Sequence, residues 1–229
     1  MGCIYCQNRE ISQYNKGRKV SVEEICKEVS TYLEKGCETL SFITPTHYID
    51  RVKEIIDTLK PNVPVVYNTS GYEKVESLKL LEGYIDIYLP DLKYSNNDLG
   101  VKYSKAPNYF ETAVKAIEEM VRQTGKPVIN DNGIMEKGVI VRNLVLPNHT
   151  RNSIEVIDYL NEKFSDKVLL SLMGQYTPYG EAQNNEKLKR KITKREYQKV
   201  LKHFEESNLD GFSQELTSAD EKYIPQWDI

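Results

Sequence analysis

The chain has 229 residues, of which 39% are hydrophobic and 28% charged, and its formal net charge is −3. These proportions are typical of a globular protein, and the small negative charge gives no reason to expect a nucleic acid or an anionic membrane as partner. No apolar run approaches the roughly 18–20 residues of a membrane span, and no leader pattern opens the chain, so a reducing cytoplasm is the expected location. Because no linker composition interrupts it, we predict a single domain over residues 1–229.

The first feature along the chain is MGCIYCQN, in which Cys3 and Cys6 have CxxC spacing. A thioredoxin-like redox pair would need a preceding strand, a zinc site two further ligands, and a three-cysteine iron–sulfur site one further cysteine. The residues alone leave these alternatives open. Cys26 shares a helical face with apolar residues, and Cys37 follows the end of that helix, so both are interpreted as packing residues.

The rest of the chain alternates helices with short apolar runs. Ser21 and Glu24 form a capping box that predicts a helix over 21–35. Strands are predicted over 38–44, 63–68, 85–90, 138–147 and 167–173. Further helices are predicted over 49–59, 74–83, 110–125, 153–163 and 193–207. This alternation is typical of a parallel sheet covered by helices.

Polar residues follow all five strands, at the edge where parallel α/β proteins bind ligands. One such segment would be an ordinary turn or helix cap, but five in succession favour a ligand site. Arg142 lies inside an apolar strand, and its charge cannot be lost by deprotonation, so it must meet Asp91 or a ligand carboxylate. No GxSxG, HExxH, Walker or GxGxxG motif is present.

The segments CIYCQNREIS, FITPTHY, VVYNTSGYE, YIDIYLPDLKY, YSKAPNY and VRNLVLPN resemble the radical S-adenosylmethionine (SAM) superfamily, and within it the pyruvate formate-lyase activating enzyme-like group. The resemblance covers nearly the whole chain. It implies an α/β fold, a partial parallel (β/α) barrel of about five to six strands that lacks the first strand. It also implies two cofactors, a [4Fe–4S] cluster held by C-x-x-x-C-x-x-C and SAM, which is cleaved to a hydrogen-abstracting 5′-deoxyadenosyl radical.

The same resemblance assigns the cysteine motif. Cys3 and Cys6 match the second and third cluster cysteines, and Tyr5 matches the aromatic that packs near the adenine of SAM. The first cysteine would fall two residues before Met1, so the chain is expected to begin at an internal methionine of a longer sequence.

The remaining assignments are SAM-binding residues. Thr44, Thr46 and His47 occupy the place of a Gly-Gly-Glu-like stretch, although no glutamate stands there. The other residues assigned to SAM binding are Asn68, Thr69, Ser70, Asp91, Lys93, Arg142 and Gln175.

The implied function is a radical SAM oxidoreductase that receives electrons from a flavodoxin or ferredoxin, with a glycyl-radical protein as candidate substrate. The alternative is a non-catalytic SAM- or partner-binding module without an intact cluster, because only two motif cysteines are present. An unrelated barrel enzyme with a structural CxxC is a third hypothesis.

Three further expectations concern local features of the chain. The strand at 38–43 should present an unpaired edge that favours self-association. Residues 181–191 are expected to form a mobile solvated loop, and YIPQWDI at 223–229 is expected to pack on the barrel.

Overall fold

The computed structural model describes residues 1–14 and 16–216, which form an open, mostly parallel sheet with helices. The strands are β1 (Leu40–Ile43), β2 (Val65–Thr69), β3 (Ile87–Pro90), β4 (Val128–Ile129), β5 (Met135–Leu144), β6 (Leu169–Met173) and β7 (Gly211–Ser213). The helices are α1 (Arg9–Ser12), α2 (Val22–Glu34), α3 (Ile49–Leu59), α4 (Val75–Lys79), α5 (Asn97–Ser104), α6 (Tyr109–Thr124), α7 (Thr150–Phe164) and α8 (Lys194–Glu205), and Gly180–Asn184 form a 3₁₀ helix. In this part of the chain no helix has the length and apolar character needed to cross a membrane.

The sheet order is β1-β2-β3-β5-β6-β7, and every pair along this path is parallel. β4 pairs antiparallel with β5 alone, through a turn in which Gly133 has φ +79°. The predicted partial parallel barrel is therefore confirmed, as a sheet that stays open between β1 and β7. β4 and β7 were not predicted, because two and three residues are too few to show a period.

The capping box predicted at the start of α2 is confirmed, and α8 begins with a second one. Ser21 Oγ accepts from Glu24 N at 3.2 Å, and Glu24 Oε2 accepts from Ser21 N at 2.9 Å. Thr193 and Glu196 make the same reciprocal pair at the start of α8. Each box satisfies two backbone donors that would otherwise have no partner at a helix start, which fixes where α2 and α8 begin.

The two faces of the sheet differ in exposure. Strand partners in register share a face, and on the helix-covered face Tyr67, Tyr88 and Val141 are fully buried. On the opposite face, which we call the open face, Ile43 and Phe212 are 66% and 55% exposed. Five further residues of the open face are half-buried: Val66, Leu89, Ile140, Leu144 and Met173. One face thus forms the core, and the other remains accessible to a ligand.

Edge strand β1 has its predicted exposure. Leu40 N donates to Pro64 O and Thr44 N to Asn68 O, so alternate residues of β1 face β2. The backbone groups of Ser41 and Ile43 therefore point away from the sheet. The self-association expected from this edge stays a prediction.

One local expectation was wrong, and a second holds only in part. Cys37 is exposed, because it lies in the turn between α2 and β1, where neither element directs it inward, whereas Cys26 is buried as predicted. The segment 181–191 is exposed over most of its length, as expected, but Ala182 and Leu188 are fully buried and Tyr176 Oη donates to Leu188 O at 2.8 Å, so these two residues anchor it to the core. The expectation for residues 223–229 lies outside the described residues.

Candidate functional site

The cysteine loop, Gly2–Asn8, is held by the backbone of two distant segments. Gly2 N donates to Ser104 O at 2.8 Å, and Ile4 N donates to Tyr103 O at 2.9 Å. On its other side, Ala182 N donates to Ile4 O at 3.1 Å. The loop is thus clamped between the end of α5 and the 3₁₀ helix, segments that follow β3 and β6 in the chain.

A chain of buried hydroxyl groups leads to one of the cysteines. Tyr94 Oη hydrogen-bonds to Tyr5 Oη and to Ser104 Oγ, each at 2.6 Å. Ser104 Oγ also donates to Cys3 Sγ at 3.1 Å. Burial raises the pKa of both tyrosines, so they remain protonated and able to donate. These hydrogen bonds fix the position of Cys3. Neither Tyr94 nor Ser104 was identified from the sequence.

Both cysteines line one cavity of about 190 Å³. Tyr5, Lys93 and Gln175 also line it, so five predicted site residues from three separate segments meet there. A larger groove of about 890 Å³ lies between α2 and β1, but it contains neither cysteine and, of the predicted residues, only Thr44. The smaller cavity is therefore the candidate site, because it gathers side chains that can bind a metal or a charged ligand.

A charged cluster lies beside this cavity on the open face. Asp91, which is 8% exposed, forms ion pairs with Lys93 and, at 2.7 Å, with Arg142. Arg142 also donates to Asn68 Oδ1 at 2.7 Å. Its buried Nε has no hydrogen-bond partner among the described residues. Two cations face one carboxylate, so the cluster has one excess positive charge and one free donor for an anionic ligand group.

A second carboxylate explains two other predicted residues. Glu73 is 2% exposed and accepts from Thr46 Oγ1 at 2.6 Å and from Thr69 Oγ1. Burial raises the pKa of Glu73. Thr69 is 1% exposed and lies on the helix-covered face, so the two threonines hold neighbouring loops together.

Glu73 was missed in the sequence. It lies in YNTSGYE, two residues after a glycine, and supplies a carboxylate next to the TPTH segment, where no glutamate occurs in the sequence itself.

The remaining predicted residues lie apart from the cysteines. Thr44 is exposed, with φ +53°. His47 is exposed and lines a separate depression of about 540 Å³ together with Thr46 and Asp50. Ser70 Oγ accepts from Tyr72 N at 3.4 Å. The structure therefore gathers Tyr5, Lys93 and Gln175 around the cysteines. Three other predicted residues do not line this cavity: Thr44, His47 and Ser70.

The metal-ligating side chains at this site are fewer than a three-cysteine iron–sulfur site requires. Within residues 1–14 and 16–216, no group of three or more His, Cys, Asp and Glu side chains could hold a metal ion. Cys26 is buried near Ile55 of α3, Cys37 lies in the connection before edge strand β1, and neither lines the cavity of Cys3 and Cys6. The described residues thus provide two of three thiolate positions, whereas the charged cluster has the excess positive charge and free donor that suit a carboxylate.

Comparisons with known proteins identify the family of this chain. The family model of the Radical SAM superfamily matches residues 1–160. An uncharacterized protein of Methanocaldococcus jannaschii is 30% identical over a 217-residue alignment, and the match covers 91% of this chain and 60% of that protein. The chain therefore spans about 60% of the length of this curated relative.

Solved structures agree in fold at low identity. A domain of a pyruvate-formate lyase-activating enzyme from Bacteroides vulgatus has a TM-score of 0.53 at 14% identity, over 77% of this chain and 98% of that one. SuiB of Streptococcus suis, bound to its precursor peptide, has a TM-score of 0.65 at 16% identity, over 95% and 47%. Members of the matched superfamily use a [4Fe–4S] cluster and SAM. Because the match covers well over half of its residues, this chain belongs to the Radical SAM superfamily.

Proposed function

We propose that this chain carries the SAM-cleaving part of a radical SAM enzyme that abstracts hydrogen from a protein substrate, with a glycyl-radical protein as the candidate. The observation that carries the proposal is the shared cavity of Cys3, Cys6 and Lys93, beside the Asp91–Arg142 pair. The similar fold of an activating-enzyme domain supports the substrate class. A flavodoxin or ferredoxin in a reducing cytoplasm is the proposed electron donor.

When bound, a [4Fe–4S] cluster would supply the electron for the reductive cleavage of SAM. Cys3 and Cys6 would hold it through their thiolates. Lys93 and the free Nε of Arg142 would bind the carboxylate of SAM, because the side chains of Asp91, Lys93 and Arg142 together carry one excess positive charge. Asn68 and Asp91 orient the Arg142 guanidinium from its Nη2 side.

The direct test is anaerobic reconstitution with iron and sulfide, followed by reduction in the presence of SAM and chromatography for 5′-deoxyadenosine. Wild-type protein is expected to form it, and Cys3→Ala and Cys6→Ala to lose it. Cys26→Ala and Cys37→Ala are matched controls that keep activity, because neither thiol lies at the cavity. Iron and sulfide well below about four atoms each per chain, with no 5′-deoxyadenosine, would contradict the proposal.

A second function has its own supporting observation. The two-thiolate loop suits a SAM- or partner-binding module without catalysis. In that case, equilibrium dialysis would show SAM binding by protein free of iron, and Arg142→Leu would weaken it. Reductive SAM cleavage by the reconstituted wild type would exclude this alternative.

A further inference from the structure

Positive charge is concentrated in three segments of a chain that is negative as a whole. Residues 1–19, 102–105 and 181–196 contain twelve lysines and arginines and four aspartates and glutamates, whereas the whole chain has 31 and 34. The remainder is therefore strongly acidic. Such asymmetry within one chain creates a local field that the net charge of −3 conceals.

The fold brings these three segments together around the cysteine loop. The backbone bonds from Gly2 to Ser104, from Ile4 to Tyr103 and from Ala182 to Ile4 join them directly. The side chain of Lys105 packs along Gly2, because a Cβ on Gly2 would lie 3.2 Å from Lys105 Cδ. The positive segments thus border the two thiols.

Lysines from two of the segments also approach a common neighbour. Burial lowers the pKa of His149, and Lys187 and Lys102 both lower it further. These lysines belong to segments more than eighty residues apart in the chain, but Asn148 Nδ2 donates to Lys187 O at 2.7 Å, and Tyr103, next to Lys102, hydrogen-bonds to His149 at 3.1 Å. They therefore lie on the same side of the molecule.

Part of this charge is not neutralised by the protein. Lys16, Lys189 and Arg190 pair with Glu10, Glu186 and Glu196, respectively. Within residues 1–14 and 16–216, no carboxylate lies within ion-pair distance of Lys102, Lys105 or Lys187, and all three are exposed. We call these three lysines the basic face.

The location of the basic face indicates its partner. This inference rests on the proposed function, reductive SAM cleavage. In that reaction an external carrier is oxidised by one electron, and SAM accepts the electron as its C–S bond breaks. The carrier must approach the cysteine loop, and opposite charge on its surface would steer it there. We propose that the basic face is the docking surface for an acidic one-electron carrier protein.

The test uses a purified acidic flavodoxin as probe and measures its dissociation constant by calorimetry in about 50 mM and about 300 mM salt. The Lys102→Glu/Lys105→Glu/Lys187→Glu variant is expected to bind about tenfold more weakly at low salt, with the difference largely lost at high salt. The matched control reverses Lys60, Lys115 and Lys137, three exposed lysines outside the basic segments, and should stay within about twofold of wild type.

Binding needs no cluster, so the result stands even if SAM is not cleaved. Circular dichroism checks folding, and the Lys102→Gln/Lys187→Gln variant, which only removes charge, replaces the triple variant if that variant is unfolded. Equal affinities for the basic-face and control variants would overturn the proposal. So would no flavodoxin binding by wild type, or salt-sensitive binding of a single-stranded RNA in its place.

Discussion

Asp91 and Glu73 are both buried carboxylates that follow neighbouring strands, but their partners differ. Asp91 lies on the open face with two cations, Lys93 and Arg142. Glu73 lies on the helix-covered side, where it accepts two hydroxyl hydrogen bonds. The first arrangement leaves positive charge available at a cavity, whereas the second joins two loops through hydroxyl hydrogen bonds. Burial of a carboxylate alone therefore does not identify a binding site; its partners and its face decide.

The largest effect is expected where the two regions touch. Gly71 has φ +77°, and a Cβ there would overlap the backbone oxygen of Asp91. Gly71→Ala should disturb both carboxylates and cost about 3 kcal/mol or more of unfolding free energy, measured by urea denaturation. Gly83→Ala is the matched control, since Gly83 has φ +82° but no neighbour within 4 Å. It should cost only about 1–2 kcal/mol, and equal losses would refute the overlap.

Removal of the first carboxylate should come next. Asp91→Ala leaves Lys93 and Arg142, whose side chains are 18% and 22% exposed, without their anion. We expect a loss of about 3 kcal/mol in chemical denaturation. The exposed pair of Arg151 with Glu155 provides the contrast, because Arg151→Ala should leave stability almost unchanged. A similar small effect for both would show that the Asp91 cluster is not electrostatically coupled.

The second carboxylate should respond to pH. Burial raises the pKa of Glu73 in the folded state above its unfolded value, so its contribution is fully present below the unfolded pKa and is lost as pH rises through the folded pKa. Glu73→Gln mimics the protonated acid. It should therefore exceed wild type in stability by about 1 kcal/mol at neutral pH and converge with it near pH 4.

Denaturation curves across that pH range measure the difference. Glu76→Gln, a change of an exposed glutamate close by in the chain, is the control and should follow wild type throughout. Parallel curves for Glu73→Gln and wild type would contradict a raised pKa.

The smallest effects should distinguish a residue that stabilises the fold from a residue that supports SAM binding. Thr46→Val removes one donor to Glu73 and should cost about 1 kcal/mol without changing SAM affinity. Asn68→Ala removes an acceptor of Arg142 and should weaken SAM binding in equilibrium dialysis with a smaller loss of stability. The opposite pattern would reverse the roles given to the two regions.

The parts of the site that could be predicted are those with a local signal. Arg142 and Asp91 stood out because charged residues in apolar strands need partners, and the structure pairs them. Tyr94 and Ser104 carry no such signal, since their contacts with Tyr5 and Cys3 span 89 and 101 residues. Thr69 could have been separated from Asn68, because consecutive residues of a strand face opposite sides.

The fold follows the same rule. Elements of ten or more residues and elements with capping boxes were predicted, whereas β4 and β7 form only because longer neighbours offer them an edge. The segment 181–191 was predicted only in part, because its mostly polar composition concealed the two buried apolar side chains of Ala182 and Leu188.

The clamp on the cysteine loop has a consequence for biosynthesis. Gly2 and Ile4 leave the ribosome well before their backbone partners at Tyr103, Ser104 and Ala182, which come much later in the chain. Since a nascent chain grows at about 5–20 residues per second, the loop waits several seconds for the segments that hold it. Its two thiols are therefore fixed only after most of the domain has emerged, which places the loading of any metal centre at this loop after translation of the domain and not during it.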